Sequence, residues 1–283
     1  MAYVGLLPLP AYDYEDQGQF GTCVGNGIAH QLEWEALASF PGQQIKFSPL
    51  FIYRNAKVVE GNWNEGTNPN YAYQALIKQG VCLEQDYPYS LLTDVSNIPA
   101  PSQDAVNKAL TYRIKSVTQL DGTIASIDKA LDMKKAVNVG TIVTDNFVQA
   151  PDEGFIDLPE GAIDGAHDYV IFARDDELTH VFPSGKQVTG FYYIQNSWYR
   201  QQILKVAKEF IGFHFDFGAP ILGGSWIVET GWGTPQPAPA PTPAPLPDKL
   251  YHVQVGAYSQ QENAQAMLAK LQAAGFDAFI KYE

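Results

Sequence analysis

Cysteine is nearly absent from this chain, with only Cys23 and Cys82 in 283 residues. A single pair is no disulfide framework for a chain of this length. Both thiols are therefore expected to be free, Cys82 as a small buried hydrophobe in preference to a redox switch. Basic residues are also scarce. Eighteen Lys and Arg face 31 Asp and Glu, a formal charge of -13, and such a surface repels phosphate backbones, so no nucleic-acid partner is expected. No apolar run approaches the ~20 residues that cross a bilayer, so no membrane span is expected. The segment MAYVGLLPLPAYDYEDQG has no basic start, long apolar stretch or small-residue cleavage site, which reads as cytoplasmic synthesis without a Sec signal. What the chain does have is apolar content, 46% of its residues, enough for one sizeable core and a small accessory module.

Proline marks the clearest boundary, recurring at every second position from Pro235 to Pro247 within GTPQPAPAPTPAPLPDK, residues 233–249. Proline lacks a backbone donor and fixes φ, so this stretch joins neither a helix nor a central strand. As polyproline II it is a semi-rigid linker on the order of 40 Å long. Before it, CVGNGIAHQLEWEALASF carries Ile28, Leu32, Trp34, Ala36, Leu37 and Phe40 at helical spacing from Cys23 onward. NYAYQALIKQG and IASIDKALDMKKA read as two more helices. Strand-like runs follow in DYVIFARDD, GFYYIQNSW and GSWIVET, the first two separated by a Pro-Ser-Gly turn. Helices first and strands second argue an α+β domain over residues 1–232 with two sub-regions. QQILKVAKEFIGFHFDFG, residues 200–218, reads as an inserted amphipathic helix. Beyond the linker, residues 250–283 read as strand, helix and strand, with Ser259 as N-cap and Gly275 as C-cap. A βαβ unit this small is marginal alone.

The segment DQGQFGTCVGNG places a thiol at the start of a helix, where unpaired N–H groups and the dipole favour an anion. The expectation is a lowered Cys23 pKa. A thiol nucleophile also needs a base, an orienting group and an oxyanion hole. Gln17, six residues upstream, can offer its amide N–H beside the backbone N–H of Cys23. Of the five histidines, His252 lies beyond the linker, His180 in the hairpin turn, His214 in the insert and His30 further along the Cys23 helix. His167 follows Gly165 and Ala166 and opens a strand, and a hairpin brings Asn196 beside it as the orienting group. Trp198 then covers that pair from water. Asp168 alternates to the opposite face of the strand and is expected to have no role. No cofactor or metal is called for.

The order DQGQFGTC, YPY (87–89), GAHDYVIF, YYIQNSW resembles the papain-like (C1) family of cysteine peptidases, particularly its bacterial branch. The resemblance runs from about Asp16 to Gly233. It implies a two-subdomain fold, helical on the left and antiparallel β on the right, acting on peptide or protein substrates. It assigns Cys23 as nucleophile, Gln17 to the oxyanion, His167 as base, Asn196 as orienting residue, Trp198 as its shield and Gly66 to the edge that pairs with substrate backbone. The chain departs from the family at Val24, where a tryptophan is usual, at Phe20, where a cysteine is common, and at Tyr199, where a glycine follows the NSW motif. The 29 positions between His167 and Asn196 imply an elongated hairpin.

YHVQVGAYSQQENAQAMLAKLQAAGFDAFI resembles a SPOR repeat but covers only one of the two βαβ halves of a full domain. That family binds peptidoglycan glycan strands, so residues 250–283 imply delivery to the cell wall, or self-association of two copies to complete the sheet. Two functions stand: an endopeptidase directed to the wall, reaching it by lysis, non-classical export or a phage particle, and a non-catalytic wall-binding or assembly protein on the same scaffold.

Overall fold

A computed structural model describes residues 3–6, 16–198, 203–211, 224–232 and scattered positions between 261 and 270. The chain divides into two compact units, Met1–Pro235 and Gln236–Glu283. In the second, the described positions between 261 and 270 are helical. The linker, the two strands expected on either side of them and His252 lie outside the described residues.

The first unit begins with strand β1 (Tyr3–Gly5) and continues through four helices, α1 (Cys23–Ser39), α2 (Pro49–Glu60), α3 (Pro69–Gln79) and α4 (Gln103–Ala109). Strand β2 (Ser116–Leu120), helix α5 (Ile124–Asp132), strand β3 (Val137–Thr144) and a short α6 (Asp145–Val148) follow. Five strands complete it: β4 (Phe155–Ile156), β5 (Ile163–Val181), β6 (Gln187–Gln195), β7 (Ile203–Ala207) and β8 (Ser225–Glu229). The sheet order is β2-β8-β3-β5-β6-β7-β4, with β1 paired to β5. Every pairing is antiparallel except that of β4 with β7. The class is α+β.

Local chemistry sets the helix ends. Ser48 accepts from the Phe51 N–H ahead of Pro49, and Asn68 accepts from the Asn70 N–H ahead of Pro69. Each pairs a side-chain cap with a proline whose missing N–H costs nothing in the first turn. Gly61 and Gly80 end α2 and α3 at φ +80° and +74°. Gly80 also lies so close to Ala109 that a Cβ would fall 2.0 Å from its carbonyl oxygen.

Helix α1 is buried from Val24 to Ala36. Ile28, Leu32, Ala36 and Phe40 join the core of the helical side with Phe51, Tyr73, Leu76 and Trp226. Trp34 turns the other way and stacks on Phe172 of β5, centroids 4.4 Å apart, while its Nε1–H donates to Gln195 Oε1 at 2.7 Å. Gln31 clamps the helix to the sheet by donating to the carbonyls of Ala136 and Trp226 at 3.0 and 2.8 Å. A helix wrapped on all sides has little freedom to shift, and its first residue is thereby fixed against the sheet.

Among the described residues of the segment expected as an inserted helix, 203–207 instead form β7 on the edge of β6 and 208–211 are helical. Leu204 and Val206 are buried while Ile203 and Lys205 are half-buried, a period of two that the flanking KEFIGF masks in the sequence. Residues 199–202 and 212–223, His214 among them, lie outside the described residues. His180 is not in the turn but on β5, paired with Val188 and stacked on Phe155 at 3.9 Å.

Candidate active site

Cys23 is the first residue of α1 and a free, half-buried thiol. The N-cap residue, Thr22, makes no side-chain cap. Its hydroxyl instead meets Tyr89 Oη at 2.5 Å and accepts from Asn26 Nδ2. The backbone amides of Cys23 and Val24 at the helix start, and that of Asp168 on β5, favour the thiol's anion.

His167 and Asn196 come together through the hairpin of β5 and β6. The ladder pairs Val170 with Gln195, so the residues just outside it, His167 on one strand and Asn196 after the other, converge. Nε2 of His167 lies 2.6 Å from Asn196 Oδ1, which also accepts from the Ser197 N–H at 2.8 Å. Two donors on Oδ1 fix the amide orientation and place the imidazole proton on Nε2. Nδ1 is then the basic nitrogen. Trp198 stacks on the imidazole at 4.2 Å and 22°, and Phe147 meets both rings edge-on. The pair is covered on that side by aromatic surface.

Gln17 is buried and tied at several points. Its Oε1 accepts from the Ser197 hydroxyl, its backbone N–H donates to Ser197 O at 2.9 Å, and its Nε2 donates one hydrogen to Phe20 O at 2.9 Å. The second amide hydrogen is not used by these bonds. Tyr89 Oη also donates to the Gln17 carbonyl at 2.9 Å, so one tyrosine of the YPY motif holds both Gln17 and the residue before Cys23. Ser197 and Tyr89 hold Gln17 in place and were missed by sequence reasoning, although both lie in motifs it had singled out.

Gly66 does not have the open backbone its resemblance implies. Its N–H donates to Tyr53 Oη at 3.1 Å and its carbonyl accepts from the buried Lys57 ammonium at 2.7 Å. The neighbouring Glu65 reaches across to accept from the Gly21 N–H at 2.6 Å.

The electrostatics correct one expectation. Burial pushes the Cys23 thiol up to about 12, and a negative charge on Asp168 would add to the rise, outweighing the three amides. Burial likewise lowers His167 to about 4, against the hydrogen bond to Asn196, which raises it. Desolvation penalises each charge separately, so the helix start alone does not create a thiolate. Among the described residues no group of three His, Cys, Asp or Glu could hold a metal ion, and no helix is long and apolar enough to cross a membrane.

An α+β fold with a thiol on the central helix and a His–Asn pair on the sheet defines a papain-like protein. The family model for papain family cysteine proteases matches residues 11–203, and the chain belongs to that family. The model for the SPOR domain matches residues 247–283. An uncharacterized peptidase C1-like protein of Acanthamoeba polyphaga mimivirus is 24% identical over 154 residues, 51% of this chain and 50% of that protein. The chain thus aligns with about half the length of that curated relative. Among solved structures, xylellain, a cysteine protease from Xylella fastidiosa, matches with TM-score 0.65 and 22% identity, covering 81% of this chain and 86% of that one. The cysteine protease and lectin-like domains of Cwp84, a surface layer associated protein of Clostridium difficile, match with TM-score 0.60 and 14% identity over 81% and 56%. At these identities the structural likenesses establish the fold.

Proposed function

We propose that the chain hydrolyses peptide bonds through Cys23, His167, Asn196 and Gln17. The observation that carries this reading is the 2.6 Å contact of His167 Nε2 with Asn196 Oδ1 beneath Trp198, on the strand packed against the helix that begins with Cys23. In the reaction, Nδ1 of His167 takes the thiol proton as sulfur attacks the substrate carbonyl. The oxygen that becomes negative receives the free Gln17 Nε2 hydrogen and the Cys23 amide. Nδ1 then returns the proton to the departing amine, and water releases the acyl group from sulfur. Cys23→Ala is expected to reduce cleavage of a denatured protein substrate to background, while Cys82→Ala leaves it unchanged. Equal cleavage by wild type and Cys23→Ala would remove the reading.

The SPOR match supports delivery of this activity to the cell wall by residues 250–283, where tethering raises the local concentration of the catalytic domain. The full chain is expected to sediment with purified wall sacculi and a chain ending at residue 232 is not; equal sedimentation of both eliminates the targeting role. A second reading, a non-catalytic wall-binding scaffold, draws on the burial that holds both Cys23 and His167 neutral. The Cys23→Ala comparison separates it from the first.

A further inference from the structure

Asp168 is not idle. Both its main chain and its side chain bear on α1: its backbone amide favours the Cys23 anion, and its carboxyl turns beneath the helix. There it occupies the gap left by Gly27, the residue one turn beyond Cys23 on the same helix face. A Cβ on Gly27 would lie 2.1 Å from Asp168 Oδ1. That oxygen accepts from Asn138 Nδ2 of β3 at 2.6 Å, and Oδ2 is buried with no hydrogen-bond partner. Three elements thus converge on one carboxyl: the nucleophile's helix, the base's strand and the strand between β5 and β8.

The groups facing this carboxyl are Cys23 on α1, Tyr73 on α3, Tyr169 on β5 and the neutral Asn138 on β3. Among the described residues no cation pairs with it. A carboxylate there would be buried against one neutral donor, and burial holds the group well above the usual carboxylate range. Its charge would also oppose the thiolate, whereas a neutral acid does not.

We infer that Asp168 is a positioning residue for the nucleophile, a neutral wedge between α1 and β5 that sets the helix start carrying Cys23 against the strand of His167. This rests on the thiol-peptidase reading. It requires the shape and the acceptor of the side chain but not its charge, so the isosteric amide should serve in its place.

The experiment is the rate of Cys23 alkylation by iodoacetamide from pH 5 to 9, read by mass spectrometry on the full chain with Cys82 as internal control. Asp168→Asn is expected to react at least as fast as wild type throughout. Asp168→Ala is expected to be at least tenfold slower at pH 6. Gly27→Ala, which collides with the carboxyl, is expected to be slow, and adding it to Asp168→Ala to slow the reaction no further, a non-additivity that reads the wedge directly. Thermal melts confirm that each variant is folded. Unchanged reactivity in Asp168→Ala would overturn the positioning role, and an Asn variant as slow as the Ala variant would show that the carboxylate charge is required, overturning the neutral wedge. A wild type whose Cys23 reacts no faster than Cys82 sinks the peptidase reading itself and this inference with it; failure of the inference alone leaves the wild-type advantage intact.

Discussion

In His167→Ala, Cys23 is expected to react with iodoacetamide no faster than Cys82, while in wild type at pH 6 it outpaces Cys82 by on the order of 10³-fold. Both thiols are pushed up to about 12 by burial, so without a base they are equally poor nucleophiles near neutrality. In the proposed mechanism, what distinguishes Cys23 is the imidazole, neutral above about pH 4 and oriented through Nε2 by Asn196. The advantage should therefore appear as the pH rises through the acid range, when Nδ1 becomes free to accept the thiol proton. Cys82 calibrates the reagent in the same sample. An advantage that survives in His167→Ala would mean that the helix start alone activates the thiol, contrary to the burial argument.

Lowering the pH from 7 to 4 is expected to destabilise the wild type by about 3 kcal/mol more than His30→Leu. His30 sits on α1, 1% exposed, with neither ring nitrogen hydrogen-bonded. Burial lowers it from 6.5 to about 3, and Lys46 adds to the fall. The unfolded chain takes up a proton near pH 6.5 that the native state refuses until about pH 3. The contribution of the neutral imidazole is thus fully present above pH 6.5 and is lost as pH falls toward 3. Glu84 acts with the opposite sign: burial raises its carboxyl to about 7, so its contribution is present below its unfolded value of about 4.5 and lost as pH rises through 7. Comparing two chains that differ only at residue 30 isolates the histidine from Glu84. Urea unfolding at pH 7 and pH 4 measures the difference, and a gap between the variants that does not change with pH would refute the assignment.

Much of the architecture was legible because it rests on local chemistry. The helix from Cys23, the glycine that ends α3 and the Pro-Ser-Gly turn between β5 and β6 follow from periodicity, caps and turn residues acting over a few positions. Where the sequence reading went astray, the deciding contact was distant. Residues 203–207 became a strand because β6 offered an unpaired edge, and an apolar segment with mixed periodicity takes the partner available. Gly66 was matched through a motif, but Tyr53 and Lys57 of α2 take both its backbone groups.

The same division runs through the site. The residue types and their order along the chain determined which thiol, imidazole and amides were candidates, since nucleophile, base and orienting group must each be a particular chemical group. Their working state was decided only by tertiary packing. A helix start favours an anion, yet the matter packed around Cys23 and His167 makes each charge costly, and desolvation is a property of every neighbour at once. Asp168 shows this most clearly. Alternation along β5 correctly turns its side chain away from His167, but only the approach of Gly27 and Asn138, from two other elements, gives that side chain a place beneath the nucleophile's helix.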